Sequence, residues 1–379
     1  MSVRVCAPGR VNLLGEHVDY NGGFVLPAAI DRFLSLKADP TLDDVFTLRA
    51  LDLNQQVSFR VENLDRKIDV YGNALPDWAL YPAGVCWSLI RHGYTPRAVL
   101  AEYSSDIPAG AGLSSSAAVE TAFGLLWQTL GGWQMDRMAL ARICLMAETH
   151  YVGVNCGIMD QFACLHGQAG HVLFLDTQTL EWEPIPLSGV TLVVARTGKS
   201  HQLGLPAGGA SQESQYNQRR SESDQAFRLL KDRLPGIKSL RDVSLDQFNR
   251  LETELPELLR RRARHVIEEC SRVLTAVECL RRRDYEQFGR LMIAGHASLR
   301  DLYEVSSPEL DRLVQIAVTL PGCFGARLTG AGFGGSTINL VREDAAALFA
   351  QNLAEEYPRQ TGQQVDIFPV RITHGARIE

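Results

Sequence analysis

The stretch that most constrains the fold lies in the first third of the chain, where an apolar run leads through glycines and serines into a helical pattern. Residues 98–103, AVLAEY, are largely apolar and β-prone, and alanines and leucines between positions 117 and 130 recur at about 3.6-residue spacing. Between them lies Ser104–Val119, SSDIPAGAGLSSSAAV. This order predicts a strand, a glycine loop and a helix N-terminus. Because glycines allow close approach of the backbone and the first N–H groups of a helix attract anions, we interpret the loop as a phosphate site.

The loop differs from both common nucleotide-binding fingerprints. It has no Gly-Lys-Ser/Thr ending, so it is not a Walker A loop. Gly110-Ala-Gly112 lacks the third glycine of the dinucleotide fingerprint. Its serines can cap the helix or turn a hydroxyl toward a metal ion. A plain strand-to-helix turn with a serine cap is the simpler alternative, so other motifs are needed to choose between the two.

A second polar, glycine-rich stretch lies near the N-terminus. Residues 9–30, GRVNLLGEHVDYNGGFVLPAAI, follow a short predicted strand at residues 3–7. Many polar side chains on such a loop are costly unless a polar ligand binds there. A sugar fits because its hydroxyls need both donors and carboxylate acceptors, whereas the simpler alternative is a hydrated surface loop. The polar residues are Arg10, Asn12, Glu16, His17, Asp19, Tyr20 and Asn21.

A third candidate is Asp160, an isolated carboxylate in an apolar segment. Ile158 and Met159 precede it, and Phe162 and Ala163 follow it. Burial of an unpaired carboxylate is expensive, so a cationic partner is expected. The residues alone leave two interpretations open, a structural ion pair and a catalytic base.

Four segments together resemble one known family. Residues 9–23 resemble the N-terminal motif of the galactokinases, which belong to the GHMP small-molecule kinase superfamily, and residues 108–118 resemble the phosphate loop of that superfamily. Residues 156–162, CGIMDQF, resemble the galactokinase segment that holds the catalytic aspartate. Residues 328–335, LTGAGFGG, resemble the third glycine motif. The ordered set is more specific than any one glycine loop, and it spans nearly the whole chain.

The resemblance implies an α+β fold with two domains and an active site in the cleft between them. The N-terminal domain would be similar to the second domain of ribosomal protein S5, and the C-terminal domain would be ferredoxin-like. We place the N-terminal domain at residues 1–188 and the C-terminal domain at residues 189–379, because Pro184, Pro186 and Gly189 cluster near the join.

The resemblance also implies ATP-dependent phosphorylation of the C1 hydroxyl of α-D-galactose, with Mg²⁺ as the metal. Asp160 would be the catalytic base, and Arg10 would pair with it. The resemblance leaves open whether Ser115 or Ser116 joins Glu148 on the metal. The implied galactose residues are Glu16, His17, Asp19, Gly157 and Tyr216, and the implied ATP phosphate residues are Gly110, Ala111, Gly112, Leu113, Ser114, Ser115 and Ser116.

Two departures from the family pattern keep other functions open. Val18 stands where galactokinases usually carry threonine, and residues 196–214 form a longer connection than usual that contains Arg196 and Lys199. Val18 and the two bases together suggest a kinase for galacturonate, N-acetylgalactosamine or arabinose, although a solvated loop is the favoured interpretation of the longer connection. A non-catalytic sugar sensor is the other alternative, and the intact run Ser114–Ala118 argues against it.

Composition excludes several other classes of protein. The net charge of −6 argues against a nucleic-acid surface, so the arginine runs at 260–262 and 281–283 are interpreted as solvated helix faces. The eight cysteines include no CxxC pair, which disfavours a zinc site or a disulfide framework. The sequence has no signal-peptide pattern and no apolar run long enough for a membrane span. We therefore expect a cytoplasmic monomer whose partners are a small sugar and ATP, not nucleic acid or membrane.

Overall fold

The structure is a computed structural model that describes residues 2–197 and 212–379. Its strands are β1 (Val3–Asn12), β2 (Phe24–Val25), β3 (Pro27–Pro40), β4 (Phe46–Ala50), β5 (Gln55–Phe59), β6 (Val99–Ser105), β7 (His171–Asp176), β8 (Trp182–Pro186), β9 (Val190–Thr197), β10 (Cys323–Thr329), β11 (Ser336–Arg342), β12 (Val365–Val370) and β13 (Arg377–Ile378). Its α-helices are α1 (Asp77–Arg91), α2 (Ser115–Gly131), α3 (Arg137–Met146), α4 (Met159–His166), α5 (Gln212–Arg233), α6 (Leu245–Leu251), α7 (Glu257–Arg282), α8 (Tyr285–Ser298), α9 (Pro308–Ala317) and α10 (Ala346–Thr361). Two π-helical turns, Ala147–Val152 and Leu299–Tyr303, extend α3 and α8. The mixture of helices and strands confirms the predicted α+β class.

A six-stranded sheet forms the centre of the first half of the chain. Its order is β13-β1-β3-β6-β4-β5, and its pairs are antiparallel except for β4 with β6. The pairing of β1 with β3 shifts register between Pro8 and Gly9. This irregularity lies just before Arg10, where β1 enters the polar glycine-rich stretch.

A four-stranded antiparallel sheet forms the centre of the second half. Its order is β10-β11-β9-β12, so β9, the strand that follows Gly189, is an inner strand of this sheet. A smaller sheet, β2-β7-β8, lies in the first half. The last strand, β13, returns to pair with β1. The division at residue 188 stays a prediction.

The core is extensive and continues through both halves. The larger cluster of buried apolar residues includes Phe46, Phe123 and Trp127 beside the first sheet, and Phe288 on α8. A second cluster, around Phe349 and Tyr357 of α10, covers the outer part of the second sheet. Within the described residues, no helix is long and apolar enough to cross a membrane.

Arg262 corrects one interpretation of the sequence. Its side chain on α7 is 1% exposed, and it pairs with Glu222 of α5 (2.6 Å) and with Glu304 (2.7 Å). The prediction of a solvated face at residues 260–262 is therefore wrong for Arg262, because α7 packs against α5 and turns this position inward. Residues 281–283 are exposed, as predicted.

Candidate functional site

One cavity collects the polar and glycine-rich segments. Its walls include the glycine loop after β6, the polar loop after β1, the first turn of α4 and the loop between β10 and β11. All of the predicted site residues line it, namely Arg10, Glu16, His17, Asp19, Gly110, Ala111, Gly112, Leu113, Ser114, Ser115, Ser116, Glu148, Gly157, Asp160 and Tyr216. The structure thus brings them together, while their individual roles stay predictions. Tyr81 of α1, which no sequence motif marked, also lines the cavity, and so does Cys156, the first residue of the segment 156–162.

The glycine loop joins β6 to α2 in the predicted order. Gly110, Gly112 and Ser114 have φ values of 65°, 73° and 61°, in the left-handed region that favours glycine. Ser114 is the N-cap residue of α2, but its side chain does not cap the helix. Its hydroxyl donates to Asp160 instead, at 2.5 Å. The first turn of α2 therefore faces the cavity without a side-chain cap on its N–H groups, which suits an anion.

A second glycine segment, between β10 and β11, packs directly on this loop. A Cβ added to Gly112 would lie 2.9 Å from the carbonyl oxygen of Thr329, and a Cβ on Gly330 would lie 2.7 Å from the carbonyl oxygen of Gly112. The Arg10 amide donates to the carbonyl of Leu113 at 3.0 Å. The two glycine segments therefore fit together only without side chains, and they fix the phosphate loop against both halves of the chain.

Asp160 lies in the first turn of α4 and has the cationic partner that its sequence context predicted. Arg10 Nε and Nη2 donate to its two carboxylate oxygens, each at 2.7 Å, and Arg10 Nη1 donates to the carbonyl oxygen of Gly112 at 2.5 Å. The Arg10 side chain is 5% exposed, whereas that of Asp160 is 26% exposed. This arrangement keeps the carboxylate paired while one side of it remains open to the cavity.

Three residues of the polar loop form the acidic and aromatic part of the cavity. Burial raises the pKa of Asp19 to about 6 and that of Glu16 to about 7. Burial lowers the pKa of His17 to about 4, so the ring is neutral at pH 7. The ring nitrogens of His17 contact the hydroxyl of Tyr20 (Nδ1, 2.8 Å) and the carbonyl of Ala331 (Nε2, 3.0 Å). Because a carbonyl only accepts, Nε2 carries the proton.

Gly157 and Tyr216 complete this part of the cavity. A Cβ on Gly157 would lie 2.3 Å from Asp19 Oδ2, so the glycine is what allows the close approach of that carboxylate. Tyr216 of α5 packs its ring 5.1 Å from the His17 ring and 5.6 Å from the Tyr20 ring. Tyr303 extends this aromatic cluster, since its hydroxyl lies 3.0 Å from that of Tyr20. The sequence analysis missed Tyr303, which carries no local motif.

Glu148 also lines the cavity and lies in the π-helical turn that follows α3. Burial raises its pKa to about 7, and Asp160 adds to this through repulsion, while hydrogen bonds from Cys156, Ser116 and Gln161 oppose it. Gln161 Nε2 donates to Glu148 at 2.5 Å and also to Glu120 of α2 at 2.9 Å. Burial raises the pKa of Glu120 well above its usual range. Helix α3 thus continues as a π turn that places Glu148 beside Ser116 of the phosphate loop.

The donor set beside the phosphate loop fits Mg²⁺. Ser116 and Glu148 supply a hydroxyl and a carboxylate next to each other, as the hydrogen bond between them shows. Within the described residues there is no cluster of three or more His, Cys, Asp or Glu side chains that could hold a metal ion. A Mg²⁺ ion that takes one or two protein oxygens, with the rest from phosphates and water, needs no such cluster.

Val18 and Arg196 are described parts of the two departures from the family pattern, and neither is among the described residues that line the cavity. Val18 is completely buried, and its Cβ lies 2.7 Å from the Cβ that would be added to Gly23, so it faces the core. Arg196, at the end of β9, donates to the carbonyl of Ala109 at 3.1 Å, at the start of the phosphate loop. Lys199 lies outside the described residues. The two described departures therefore give no support for a charged or enlarged sugar.

Comparisons with known proteins agree with the family resemblance of the sequence motifs, over nearly the full length of the chain. Residues 2–36 match the galactokinase galactose-binding signature, residues 81–168 the N-terminal domain of the GHMP kinases, and residues 276–359 the C-terminal domain of the GHMP kinases. A galactokinase from Roseiflexus sp. (strain RS-1) is 43% identical over 374 residues, covering 98% of this chain and 92% of the relative. A galactokinase from Chloroflexus aurantiacus is 40% identical over 373 residues, with the same coverage.

Two solved structures extend the comparison to three dimensions. The crystal structure of Lactococcus lactis galactokinase complexed with galactose superimposes with a TM-score of 0.91 at 32% identity, covering 99% of this chain and 95% of that one. A mevalonate kinase structure superimposes with a TM-score of 0.63 at 19% identity, covering 98% of this chain and 99% of that one. At that identity the likeness is one of fold alone.

Proposed function

The chain belongs to the galactokinases, within the GHMP kinase superfamily, and from this premise we propose how its residues act. It is a sugar kinase that transfers the γ-phosphoryl group of ATP to the C1 hydroxyl of D-galactose, giving α-D-galactose 1-phosphate. The proposed mechanism rests mainly on the position of Asp160. It lies between the phosphate loop and the acidic sugar residues, bonded to Arg10 and Ser114.

Galactose is bound by the acidic and aromatic part of the cavity. Glu16 and Asp19 accept hydrogen bonds from sugar hydroxyls, and the Gly157 backbone packs where a side chain would displace Asp19. The neutral His17 ring and the Tyr216 ring form an apolar wall against the sugar. Support for this assignment comes from the shared cavity and from the chemistry of a polyol, which needs several acceptors at fixed positions.

ATP is bound with its phosphates on the N–H groups of residues 110–116 at the start of α2. Ser116 and Glu148 are the residues that would hold Mg²⁺, and a bound Mg²⁺ neutralises charge on the phosphate oxygens. Of the two serines left open by the sequence, Ser116 is the better candidate because its hydroxyl bonds to Glu148. Gln161 orients Glu148 through its amide.

Asp160 acts as the base toward the C1 hydroxyl of the sugar. Phosphoryl transfer passes through a loose transition state, so positioning and charge neutralisation contribute most of the rate enhancement. A carboxylate is a weaker base than a sugar alkoxide, so the proton moves to Asp160 late, after the phosphoryl group has begun to leave ATP. Arg10 pairs with Asp160 and places positive charge beside the transferring group.

The experiment that tests this function is ADP release with ATP, Mg²⁺ and a panel of sugars. The panel contains galactose, N-acetylgalactosamine, galacturonate, arabinose and glucose. Galactose should give the highest kcat/KM, because neither Val18 nor Arg196 reaches the sugar cavity. A preference for galacturonate would contradict the proposal and would indicate that Arg196 or Lys199 takes part in sugar binding. No turnover with any sugar would contradict the kinase activity itself.

We also propose that the chain acts as a monomer in the cytoplasm. All eight cysteines are free thiols, which suits a reducing compartment. Every residue assigned above comes from one chain, and this supports the proposal of a monomer. Light scattering during size-exclusion chromatography should give a mass near 41.9 kDa, and a stable dimer would contradict the proposal.

A further inference from the structure

A buried cluster of four charged residues lies beneath the sugar part of the cavity, and we call it the Arg327 cluster. It consists of Glu16 from the polar loop, Arg327 from β10, and Glu269 and Arg272 from α7. The side chains of Arg327 and Glu269 are completely buried, and that of Glu16 is 2% exposed. Because buried charges are costly unless paired, the pairing within this cluster controls the charge of each member.

The two carboxylates of the cluster are not equally satisfied. Glu269 accepts from the Gly15 amide (2.8 Å), from Arg327 Nη1 (3.0 Å) and from Arg272 Nε (2.7 Å). These groups hold the pKa of Glu269 well below its usual range, since the attraction of Arg327 and Arg272 outweighs burial. Glu269 is therefore ionised and has little capacity for another partner.

Glu16 is in the opposite situation. Its ion-pair partner among the described residues is Arg327, through Nη2 and Oε2. Oε2 is held in this ion pair, whereas Oε1 is buried and has no hydrogen-bond partner among the described residues. Glu16 lines the cavity, so Oε1 is available to a hydroxyl group of a bound sugar. Arg327 Nη1 also donates to the carbonyl of Leu13 at 3.2 Å, which fixes the guanidinium to the same loop.

We propose that Arg327 is a positioning residue for sugar binding: it holds Glu16 as a carboxylate, aimed at the sugar, although it does not touch the sugar itself. Nothing in its immediate sequence marks it for this role. The inference rests on the proposed function, because it takes the sugar to be the ligand of Glu16. Since β10 belongs to the second sheet and Glu16 to the loop after β1, the ion pair also ties the sugar loop to the other half of the chain.

The charged groups around Glu16 predict how sugar affinity depends on pH. Arg327 on β10, Glu269 on α7 and Arg10 on β1 act on its carboxyl group, His265 on α7 contacts its backbone carbonyl, and Asp19 lines the same cavity. Burial raises the pKa of Glu16 to about 7, Arg327 opposes this rise, and Glu269 adds to it. As the pH falls below 7, Glu16 takes up a proton and the sugar loses a charged acceptor. The Kd for galactose should therefore rise, by up to about tenfold per pH unit.

The first variant is Arg327→Lys. Lysine keeps the charge but cannot reach Glu16, Glu269 and the Leu13 carbonyl together, as a guanidinium does. Isothermal titration calorimetry should show a rise of about tenfold or more in the Kd for galactose, with the Kd for ATP within about twofold of wild type. The KM for galactose should rise by a larger factor than kcat falls. The pH below which the Kd for galactose rises should be higher than in wild type. An unchanged Kd for galactose would overturn the proposal.

The matched control is Arg262→Lys. Arg262 is equally buried and also bridges two carboxylates, Glu222 and Glu304, but it does not line the cavity. This control should lose folding stability and keep the Kd for galactose within about threefold of wild type. An equal loss of galactose affinity in both variants would contradict a specific role for Arg327.

A second variant, Glu269→Gln, tests the same idea if Arg327→Lys does not fold. Glutamine keeps an acceptor for the Gly15 amide but removes the charge that competes with Glu16 for Arg327. The pH below which the Kd for galactose rises should then be lower than in wild type, by about one unit. An unchanged or higher value of this pH would overturn the proposal. Calorimetry measures galactose binding without turnover. Galactose binding without phosphorylation would therefore contradict the proposed function and leave the proposal for Arg327 standing.

Discussion

At the scale of single residues, the cavity contains several carboxylates whose charge is set by different neighbours. Asp160 accepts hydrogen bonds from Nε and Nη2 of Arg10 and from the Ser114 hydroxyl. Burial raises the pKa of Asp19 to about 6 and that of Glu148 to about 7. In the proposed function, carboxylates would serve as base, sugar acceptor or metal ligand according to the partners that the fold supplies.

The first prediction concerns Asp160→Asn. The amide keeps the size of the side chain but cannot take the sugar proton, so kcat should fall by about 10²–10⁴-fold. The variant should stay folded and should bind ATP with an affinity near that of wild type, because the phosphate loop is intact. Rapid-quench kinetics with calorimetry for ATP provides the measurement. Near-normal turnover would refute the role of Asp160 as base.

The second prediction concerns Gly157→Ala. The added methyl group would lie 2.3 Å from Asp19 Oδ2, so Asp19 must leave its position. The KM for galactose should rise by about tenfold or more, while the KM for ATP stays nearly constant. Gly170→Ala is the control, since a Cβ there meets nothing within 4 Å. Equal KM values for galactose in Gly157→Ala and wild type would contradict the proposed contact.

At the scale of elements, the phosphate loop depends on a second element packed upon it. Gly112 and Gly330 lie backbone to backbone, and the Cβ position of Gly335 lies 3.3 Å from Ala111. The loop after β6 is therefore packed backbone to backbone against the loop between β10 and β11. Because these loops are far apart in sequence, we expect changes at their contact to weaken ATP binding.

The third prediction concerns Gly112→Ala. The methyl group would lie 2.9 Å from the Thr329 carbonyl, at a φ of +73°, so the two loops must separate. ATP affinity and melting temperature should both fall. Gly132→Ala is the matched control, with a φ of +68° and no atom within 4 Å of its Cβ position. It should lose only about 1 kcal/mol of stability from backbone strain, with ATP affinity unchanged. Equal effects in the two variants would show that strain alone explains the loss.

At the scale of the whole molecule, buried titratable groups link stability to pH. His265 of α7 contacts the hydroxyl of Ser298 (2.8 Å) and the backbone carbonyl of Glu16 (3.2 Å). Burial lowers its pKa from 6.5 to about 3, so the folded chain keeps it neutral. The unfolded chain takes up a proton below pH 6.5, so acidification favours unfolding through this residue.

The fourth prediction concerns His265→Gln. Wild type should be more stable than the variant at pH 7, and this difference should shrink as the pH falls below 6.5. The expected change is about 1.4 kcal/mol per pH unit, because one proton is bound by the unfolded wild type alone. Urea unfolding of both proteins at several pH values measures it, and the other titratable groups cancel in the difference. A difference that is constant from pH 7 to pH 5 would contradict the prediction.

The sequence by itself determined the elements and the local chemistry of the site. Spacing and glycine content predicted the strand, loop and helix around residues 98–130, and the apolar context of Asp160 predicted a cationic partner. The ordered motifs predicted the kinase family, which the comparisons confirm. These predictions succeeded because side-chain type and periodicity record whether a position is buried, and because a phosphate loop is built from one continuous segment.

Only the tertiary structure decided which distant groups meet. Arg327 lies more than 300 residues from Glu16 in the chain, and no local pattern distinguishes it from an ordinary strand arginine. The run of arginines predicted a solvated Arg262, and Val18, in place of the family's threonine, kept other sugars open, yet both residues lie inside the protein. The physical reason is that a buried charge is stabilised by whichever opposite charge the packing of sheets and helices brings within reach. Periodicity along one segment contains no information about that partner.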